Sequence, residues 1–229
     1  MADEATVVLV HGAWHGAWCW DKVVHALDDA NVPVVAVELP LTSLHDDVAA
    51  VTNAVDAANG RVALCGHSYG GVVITEAGNH AAVGHLVYLT AFACDEGESA
   101  SATAVEEQLP FADFSDALVF NDEGTEMSFS PHAACEVFYH DCDPDDAAAA
   151  TARLRPINLL CATTPVSSPA WRDTPATYVV CTEDRALHPA MQRHLATRCT
   201  SSVEWPTAHS PFLNRPELVA ELLTRVARS

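Results

Sequence analysis

Lysine is nearly absent from this sequence: Lys22 is the only one, and 11 basic residues stand against 31 acidic ones, for a formal net charge of −20. Nucleic acids and anionic membrane surfaces bind proteins through a basic face. The charge balance therefore excludes both as expected partners. An acidic, alanine-rich and lysine-poor composition is also similar to that of proteins from salt-loving organisms, where counter-ions screen like-charge repulsion. A high-salt habitat is the hypothesis that follows.

Long apolar runs are missing as well. A membrane-spanning helix needs roughly 20 consecutive apolar residues, and the apolar runs at Thr6–Val10 and 32–37 are far shorter. Residues 1–4 are acidic, and no basic start, apolar segment and small-residue cleavage site of a signal peptide follows. We therefore expect a cytoplasmic protein that neither spans a membrane nor is secreted.

Close CxxC pairs, which mark many zinc and redox sites, do not occur among the eight cysteines. Cys65 and Cys181 stand at the ends of apolar runs predicted to be buried strands, where a thiol serves as a small core residue. We expect free thiols, no metal and no cofactor. A disulfide between Cys135 and Cys142 stays an open alternative.

The size and apolar content of the chain suit one globular domain. It has 229 residues, of which 49% are hydrophobic and 18% charged, so a single domain over residues 1–229 is predicted. Apolar β-rich runs alternate with helical patterns, which is typical of an α/β fold with a mostly parallel sheet flanked by helices. Strands are predicted over 6–10, 32–37, 61–65, 85–91, 176–181 and 202–205, and helices over 18–30, 44–58, 69–80, 189–199 and 216–228.

Two of these helices have recognisable starts. Ser43 is placed to cap the helix predicted over 44–58. Asn214, followed by Pro216 and Glu217, has the spacing of a cap, a first-turn proline and a capping-box acid for the last helix.

One stretch, residues 95–156, breaks the alternation and is predicted to be a small helical lid inserted after the fourth strand. We name it the lid segment. Within it, Asp143 as cap and Pro144 in the first turn predict a helix that continues through an alanine run to Arg153. Its aromatic residues either line a pocket or fix the lid to the body of the protein. They are Phe111, Phe114, Phe120, Phe129, Phe138 and Tyr139.

The strongest chemical signal is a Gly-x-Ser-x-Gly motif, Gly66 to Gly70, between an apolar strand and a helical pattern. In this context a tight turn holds the serine in a strained backbone conformation and presents its hydroxyl, while the glycines let strand and helix approach. The helix N-terminus that follows favours a developing anion. Ser68 is therefore the predicted nucleophile.

A serine hydroxyl needs a base to take its proton, and an acid normally orients that base. In folds with this motif the chain order is nucleophile, acid, base. The strand predicted over 176–181 is followed by Glu183 and Asp184, which are both candidates for the acid. Asp95, after an earlier strand, is a third.

His209 is the candidate base. It follows the last predicted strand on a loop at the carboxyl edge of the sheet, where such sheets bind ligands. His67 adjoins the nucleophile, but the geometry of the turn directs its side chain away from Ser68. The lid histidines His132 and His140 are the rival bases.

The first strand runs into a histidine-glycine turn of the kind that donates a backbone N–H to an oxyanion. The predicted donors are the N–H groups of Ala13 and Tyr69, each stabilising the transition state by roughly 3 kcal/mol. Trp14 and His15 on the same loop are expected to contact substrate. His11 and His15 also have the spacing of two metal ligands, but no carboxylate or cysteine nearby completes such a site.

These motifs resemble those of the compact α/β-hydrolases that include plant methylesterases of salicylate and jasmonate type, hydroxynitrile lyases and related bacterial esterases. The resemblance covers nearly the whole chain. It implies the α/β-hydrolase fold, a triad of Ser68, Asp184 and His209, and oxyanion donors at Ala13 and Tyr69. The residues that carry it are Val10-His11-Gly12-Ala13-Trp14-His15-Gly16-Ala17-Trp18, Gly66-His67-Ser68-Tyr69-Gly70-Gly71, Val180-Cys181-Thr182-Glu183-Asp184 and His209.

The resemblance also separates two reactions. Lyases of the plant type carry a threonine after the first strand and a lysine after the catalytic histidine, and the matching positions here are Gly12 and Ser210. The expectation is therefore a serine carboxylesterase, monomeric or homodimeric, that cleaves small carboxylic esters through an acyl-enzyme. Methyl and short aryl or alkyl esters are the preferred substrates, and a lactone or thioester suits the same machinery. Cyanohydrin cleavage and a non-catalytic ligand receptor are the alternatives.

Overall fold

The structure is a computed structural model and describes residues 4–103, 114 and 116–229. Nine strands lie within these residues, and six of them form one parallel sheet in the order β2-β1-β3-β4-β8-β9. The strands are β1 (Thr6–Val10), β2 (Val34–Val37), β3 (Val62–His67), β4 (Val83–Leu89), β5 (Leu118–Phe120), β6 (Glu126–Phe129), β7 (Ile157–Asn158), β8 (Ala176–Cys181) and β9 (Ser201–Trp205).

The α-helices lie between and after these strands, with short 3-10 helices at Ala17–Trp20 and Ala170–Arg172. They are α1 (Asp21–Asp29), α2 (Leu44–Ala57), α3 (Gly70–Ala77), α4 (Pro131–Phe138), α5 (Pro144–Thr151), α6 (Leu159–Thr163), α7 (Pro189–Ala196), α8 (Pro211–Asn214) and α9 (Pro216–Ala227).

The parallel sheet is the centre of the core. Every residue of β3 and β8 is buried, as are four of the five residues of β1. Strands covered by helices on both faces have no solvent-facing side, which is why they are apolar along their whole length. The predicted α/β fold with a mostly parallel sheet is confirmed, and each predicted strand of that sheet is present within about two residues of its predicted bounds.

Helix caps give a mixed outcome. Ser43 accepts a hydrogen bond from the N–H of Asp46 and Asp143 accepts one from Asp145, so both predicted caps are confirmed. The predicted cap at Asn214 is wrong. That residue ends α8, a short helix absent from the prediction, and its side-chain amide donates to the carboxylate of Asp141.

The lid segment contains α4 and α5, as a helical insertion requires, but also β5 and β6. These two strands pair antiparallel, and β6 pairs antiparallel with β7 just beyond the lid segment. The three-stranded sheet was not predicted, because strands of two to four residues carry too little periodicity to recognise. Phe111 lies outside the described residues.

The structure also bears on the membrane-spanning potential of the helices and on the state of the cysteines. Within the described residues, no helix combines the length and apolarity that crossing a bilayer requires. All eight cysteines fall in the described part of the chain and all are free thiols, including Cys135 and Cys142.

Candidate active site

Ser68 lies in the tight turn between β3 and α3, with a φ of 51°. A residue other than glycine seldom adopts this left-handed backbone conformation, which persists only where the surrounding structure enforces it. The enforcement comes from close backbone packing: a Cβ on Gly66 would lie 2.5 Å from the carbonyl oxygen of Gly70, and one on Gly70 would lie 2.5 Å from that of Val10. The glycines of the motif are therefore steric requirements of the turn.

The side chains of His209 and Asp184 are in direct contact. Nδ1–H of His209 donates to Oδ2 of Asp184 at 2.7 Å, and both side chains are buried. With the proton on Nδ1, Nε2 keeps its lone pair and is available as a base. Among the described residues no hydrogen bond joins His209 to the Ser68 hydroxyl, but the two residues line the same cavity. Such bonds are often long before substrate binds.

Asp184 is held by several further donors. Its Oδ1 accepts from the backbone N–H groups of Ala186 and Leu187 at 2.6 and 3.0 Å. Its Oδ2 accepts from the side-chain amide of Gln192 at 3.0 Å and from the hydroxyl of Thr90. A carboxylate bound this way is fixed in both position and orientation.

The other candidate acid with a visible role is Asp95, which pairs with the guanidinium of Arg172. Of the rival bases, His132 is exposed in the first turn of α4, and His140 follows the end of that helix.

The sequence did not predict that Thr90 and Gln192 bond to Asp184. Neither belongs to a motif, and only the pairing of β4 with β8 and the packing of α7 bring them to Asp184.

Ala13 and Tyr69 both line the cavity, and among the described residues neither backbone N–H has a hydrogen-bond acceptor. The Gly12–Ala13 peptide is held by His11, whose Nδ1–H donates to the Gly12 carbonyl at 2.9 Å. Because the N–H and C=O of one peptide point in opposite directions, this bond directs the Ala13 N–H away from His11. The hydroxyl of Tyr69 is anchored separately, by donating to Asp47 at 2.7 Å.

His11 and His15 are both neutral, buried side chains. Burial lowers the pKa of His11 to about 3 and that of His15 to about 4. Nε2 of His11 accepts from the N–H of Leu39 at 3.0 Å. Nδ1–H of His15 donates to the Ala13 carbonyl at 2.8 Å, and its Nε2 accepts from the hydroxyl of Tyr139 at 2.8 Å. All four ring nitrogens therefore bond to protein atoms.

His15 is not among the described residues that line the cavity, and its contact with substrate stays a prediction. Its ring lies behind the loop, 5.6 Å from that of Trp18 and 5.9 Å from that of Phe212, measured between centroids. The ring of His15 is held by its bonds to the Ala13 carbonyl and the Tyr139 hydroxyl. Trp14 does line the cavity.

The side chain of His67 bonds to the loop that carries His209. Its Nε2–H donates to the backbone carbonyl of His209 at 2.8 Å. Burial, with His209 and His15 nearby, holds the pKa of His67 well below its ordinary value. A neutral His67 therefore fixes the loop of His209 without placing a second positive charge beside it.

The cavity has a volume of about 270 Å³ and mostly apolar walls. Among the described residues that line it there is no Asp, Glu, Lys or Arg. From the lid segment, Phe114, Phe120 and Phe138 line the wall, whereas Phe129 packs behind it against Trp14, with ring centroids 5.0 Å apart. The polar side chains of the wall are those of Ser68, Tyr69, Ser101, Thr163 and His209.

Positions 12 and 210 bear on the choice between reactions. A Cβ on Gly12 would lie 2.9 Å from both Cβ of Ser68 and Nδ1 of His67, so the present backbone has no room for a side chain there. Ser210 is fully buried and lies outside the described lining of the cavity. Neither position brings a positive charge to the site.

Comparison with known proteins gives one consistent result. The profile of the alpha/beta hydrolase family matches residues 7–222. Salicylic acid-binding protein 2 of Nicotiana tabacum is 27% identical over 99% of this chain and 98% of its own. Methyl jasmonate esterase 1 of Vitis vinifera is 26% identical over 99% and 98%. The crystal structure of a pyrethroid hydrolase from Sphingobium faniae JZ-2, 24% identical over 98% of both chains, superposes with a TM-score of 0.86, a likeness of fold alone.

Proposed function

The chain belongs to the alpha/beta hydrolase family, and we propose that it is a serine carboxylesterase acting on small, uncharged carboxylic esters. The observation that carries this proposal is that His209, hydrogen-bonded to Asp184, lines the same cavity as Ser68, whose backbone is strained. Esterases among its relatives support ester hydrolysis as the general reaction.

The reaction proceeds by two acyl transfers. Nε2 of His209 takes the proton of Ser68 as Oγ bonds to the ester carbonyl carbon, and the oxyanion accepts from the N–H groups of Ala13 and Tyr69. The carbonyl re-forms, the carbon–oxygen bond to the alcohol breaks, and His209 gives that alcohol its proton. Water, deprotonated by His209, then attacks the acyl-enzyme, and the acid leaves as Ser68 regains its proton. Asp184 stabilises the imidazolium in both steps.

The cavity supports the choice of substrate. A charged acyl or alcohol group entering it would lose its hydration without gaining an ionic partner among the described residues, which costs several kcal/mol. Neutral apolar groups gain by leaving water. In this proposal the chain is a single domain, the lid segment covers the cavity, and aromatic or short aliphatic esters fill the space beside Trp14.

A panel of nitrophenyl esters of increasing acyl length, run beside methyl esters of aromatic acids, tests the function. Ser68→Ala should lower kcat by at least about 1,000-fold and abolish labelling by a fluorophosphonate probe. Ser101→Ala, the same change at another serine of the cavity wall, is the matched control and should keep both. Ester turnover that survives Ser68→Ala rules the scheme out. Binding without labelling indicates a receptor, and release of aldehyde and cyanide from a cyanohydrin indicates a lyase.

A further inference from the structure

Arg155, at the end of the lid segment, is bonded to the loop that carries the predicted oxyanion donor Ala13. Its backbone N–H donates to the carbonyl of Trp14 at 2.8 Å. Its Nε donates to the carbonyl of His15 at 3.0 Å, and its Nη2 to that of Leu39 at 2.9 Å. One residue therefore satisfies three backbone carbonyls on two separate segments.

Glu38 completes the arrangement from the other side. It pairs with Nη2 of Arg155 at 2.8 Å through Oε1, and its Oε2 accepts the backbone N–H of Ala17 at 2.7 Å. The side chains of the ion pair thus hold the loop at the carbonyl of residue 15 and at the N–H of residue 17, while the backbone N–H of Arg155 bonds the carbonyl of residue 14. A planar guanidinium with five N–H donors suits this task, and a lysine ammonium does not.

The loop between these contacts is strained at Trp14, whose φ of 63° is a conformation that a bulky side chain adopts only when its surroundings enforce it. Ala13 directly precedes Trp14, so a change in the Trp14 backbone moves the Ala13 peptide. The Trp14 side chain is also bonded to the lid segment, since its Nε1–H donates to the carbonyl of Met127 at 3.2 Å.

We propose that Arg155 is a positioning residue for the oxyanion hole, holding the Ala13 N–H in place by fixing the backbone of residues 14 to 17 against the lid segment. This inference rests on the proposed function. It assigns to a lid residue outside every sequence motif a role in stabilising the transition state, and it makes the geometry of the donor depend on the lid being seated.

The test compares Arg155→Gln and Arg155→Lys with Arg153→Gln. The control removes the same charge from the same segment, but Arg153 contacts Asp21 at 3.7 Å and the ring of Trp18 at 4.7 Å instead of the loop carbonyls. Each variant is assayed for kcat and KM on a nitrophenyl ester that the wild type hydrolyses. Each is also titrated with a trifluoromethyl ketone, which forms a tetrahedral adduct with an active serine, and with the matching methyl ketone, which mimics the ground state.

A displaced oxyanion donor weakens the transition state more than the ground state. Arg155→Gln should therefore lower kcat by about 10-fold or more, change KM by less than about 2-fold, and weaken the trifluoromethyl ketone in parallel with kcat. The methyl ketone should bind as to the wild type. The kcat of Arg155→Lys should lie between those of Arg155→Gln and the wild type, and the kcat of Arg153→Gln should equal that of the wild type.

Two results would overturn the proposal. One is an unchanged kcat in folded Arg155→Gln or Arg155→Lys. The other is a loss of activity that follows the fraction of folded protein in a thermal melt, with the ratio of the two ketone affinities unchanged. Failure of the proposed function is distinguishable, because the wild type would then neither hydrolyse esters nor label at Ser68.

Discussion

Replacing Gln192 with glutamate changes one buried nitrogen atom to oxygen and should make the stability of the protein fall as the pH rises. The side chain is fully buried, and its amide nitrogen faces three acceptors. They are the carboxylate of Asp184 at 3.0 Å and the carbonyls of Cys181 and Leu187 at 3.2 and 2.6 Å. An oxygen at this position has no donor to bond unless it carries a proton itself.

The size of the effect follows from proton linkage. Burial and the negative charge of Asp184 should raise the folded-state pKa of the new carboxyl well above the unfolded value of about 4.3. Below about pH 4 the variant lacks only hydrogen bonds, which costs about 1–3 kcal/mol. At pH values between the unfolded-state and folded-state pKa of the new carboxyl, folding takes up a proton. The free energy of unfolding therefore drops by about 1.4 kcal/mol for each unit of rising pH.

Urea unfolding of wild type, Gln192→Glu and Gln192→Met at pH 5, 6.5 and 8 measures this. The methionine variant has similar volume, and besides the bonds of the amide nitrogen it loses the one that Oε1 accepts from the backbone N–H of Cys181 at 2.7 Å. It has no titrating group, so its deficit relative to wild type should be constant with pH. The deficit of Gln192→Glu should grow steadily with pH. A deficit that is equal at pH 5 and pH 8 would refute the reasoning about the three acceptors.

Two further outcomes follow from the site. Gly12→Ala should lower the free energy of unfolding by about 1–3 kcal/mol and reduce kcat at least about 10-fold, because the added Cβ overlaps Ser68 and His67. Gly84→Ala, whose nearest neighbour would be a flexible Arg61 side chain at 3.6 Å, is the control, and equal activity of the two would contradict the prediction. Because burial lowers the pKa of His11 to about 3, the unfolded state binds the extra proton, and stability should be lost as the pH falls below about 6.5. Urea unfolding between pH 7 and 5 should show that the free energy of unfolding falls less steeply with falling pH in His11→Asn than in the wild type. The same slope in both proteins would contradict this prediction.

The features that could be predicted are those that depend on residues close together in the sequence. The apolar strands β3 and β8 and the edge strand β9 place Ser68, Asp184 and His209 after their carboxyl ends, and parallel pairing of the strands brings those ends to one edge. The contact of Asp184 with His209 agrees with that expectation. In the serine motif, Gly66 is needed for the close approach of β3 and α3, whereas Gly70 is needed where the start of α3 approaches the backbone of Val10 at the end of β1.

Contacts between distant segments were not predictable in this way. Gln192 reaches Asp184 only because α7 packs on β8, and Arg155 reaches the loop after β1 only because the lid segment folds back over it. His15 shows the remaining limit. Its place in the chain was informative, but its side chain bonds to Tyr139, which is 124 residues away in the sequence.

The apolar lining of the cavity also bears on what happens after the reaction. Hydrolysis converts a neutral ester into a carboxylate, and the described wall offers that new anion no cation, while Asp184 adds a negative charge close behind His209. Although the predicted donors Ala13 and Tyr69 can bond one of its oxygens, such an anion has no counter-charge and loses much of its hydration. In the proposed reaction, the step that completes the cycle therefore also favours release of the acid to water, from a cavity that had favoured entry of the neutral ester.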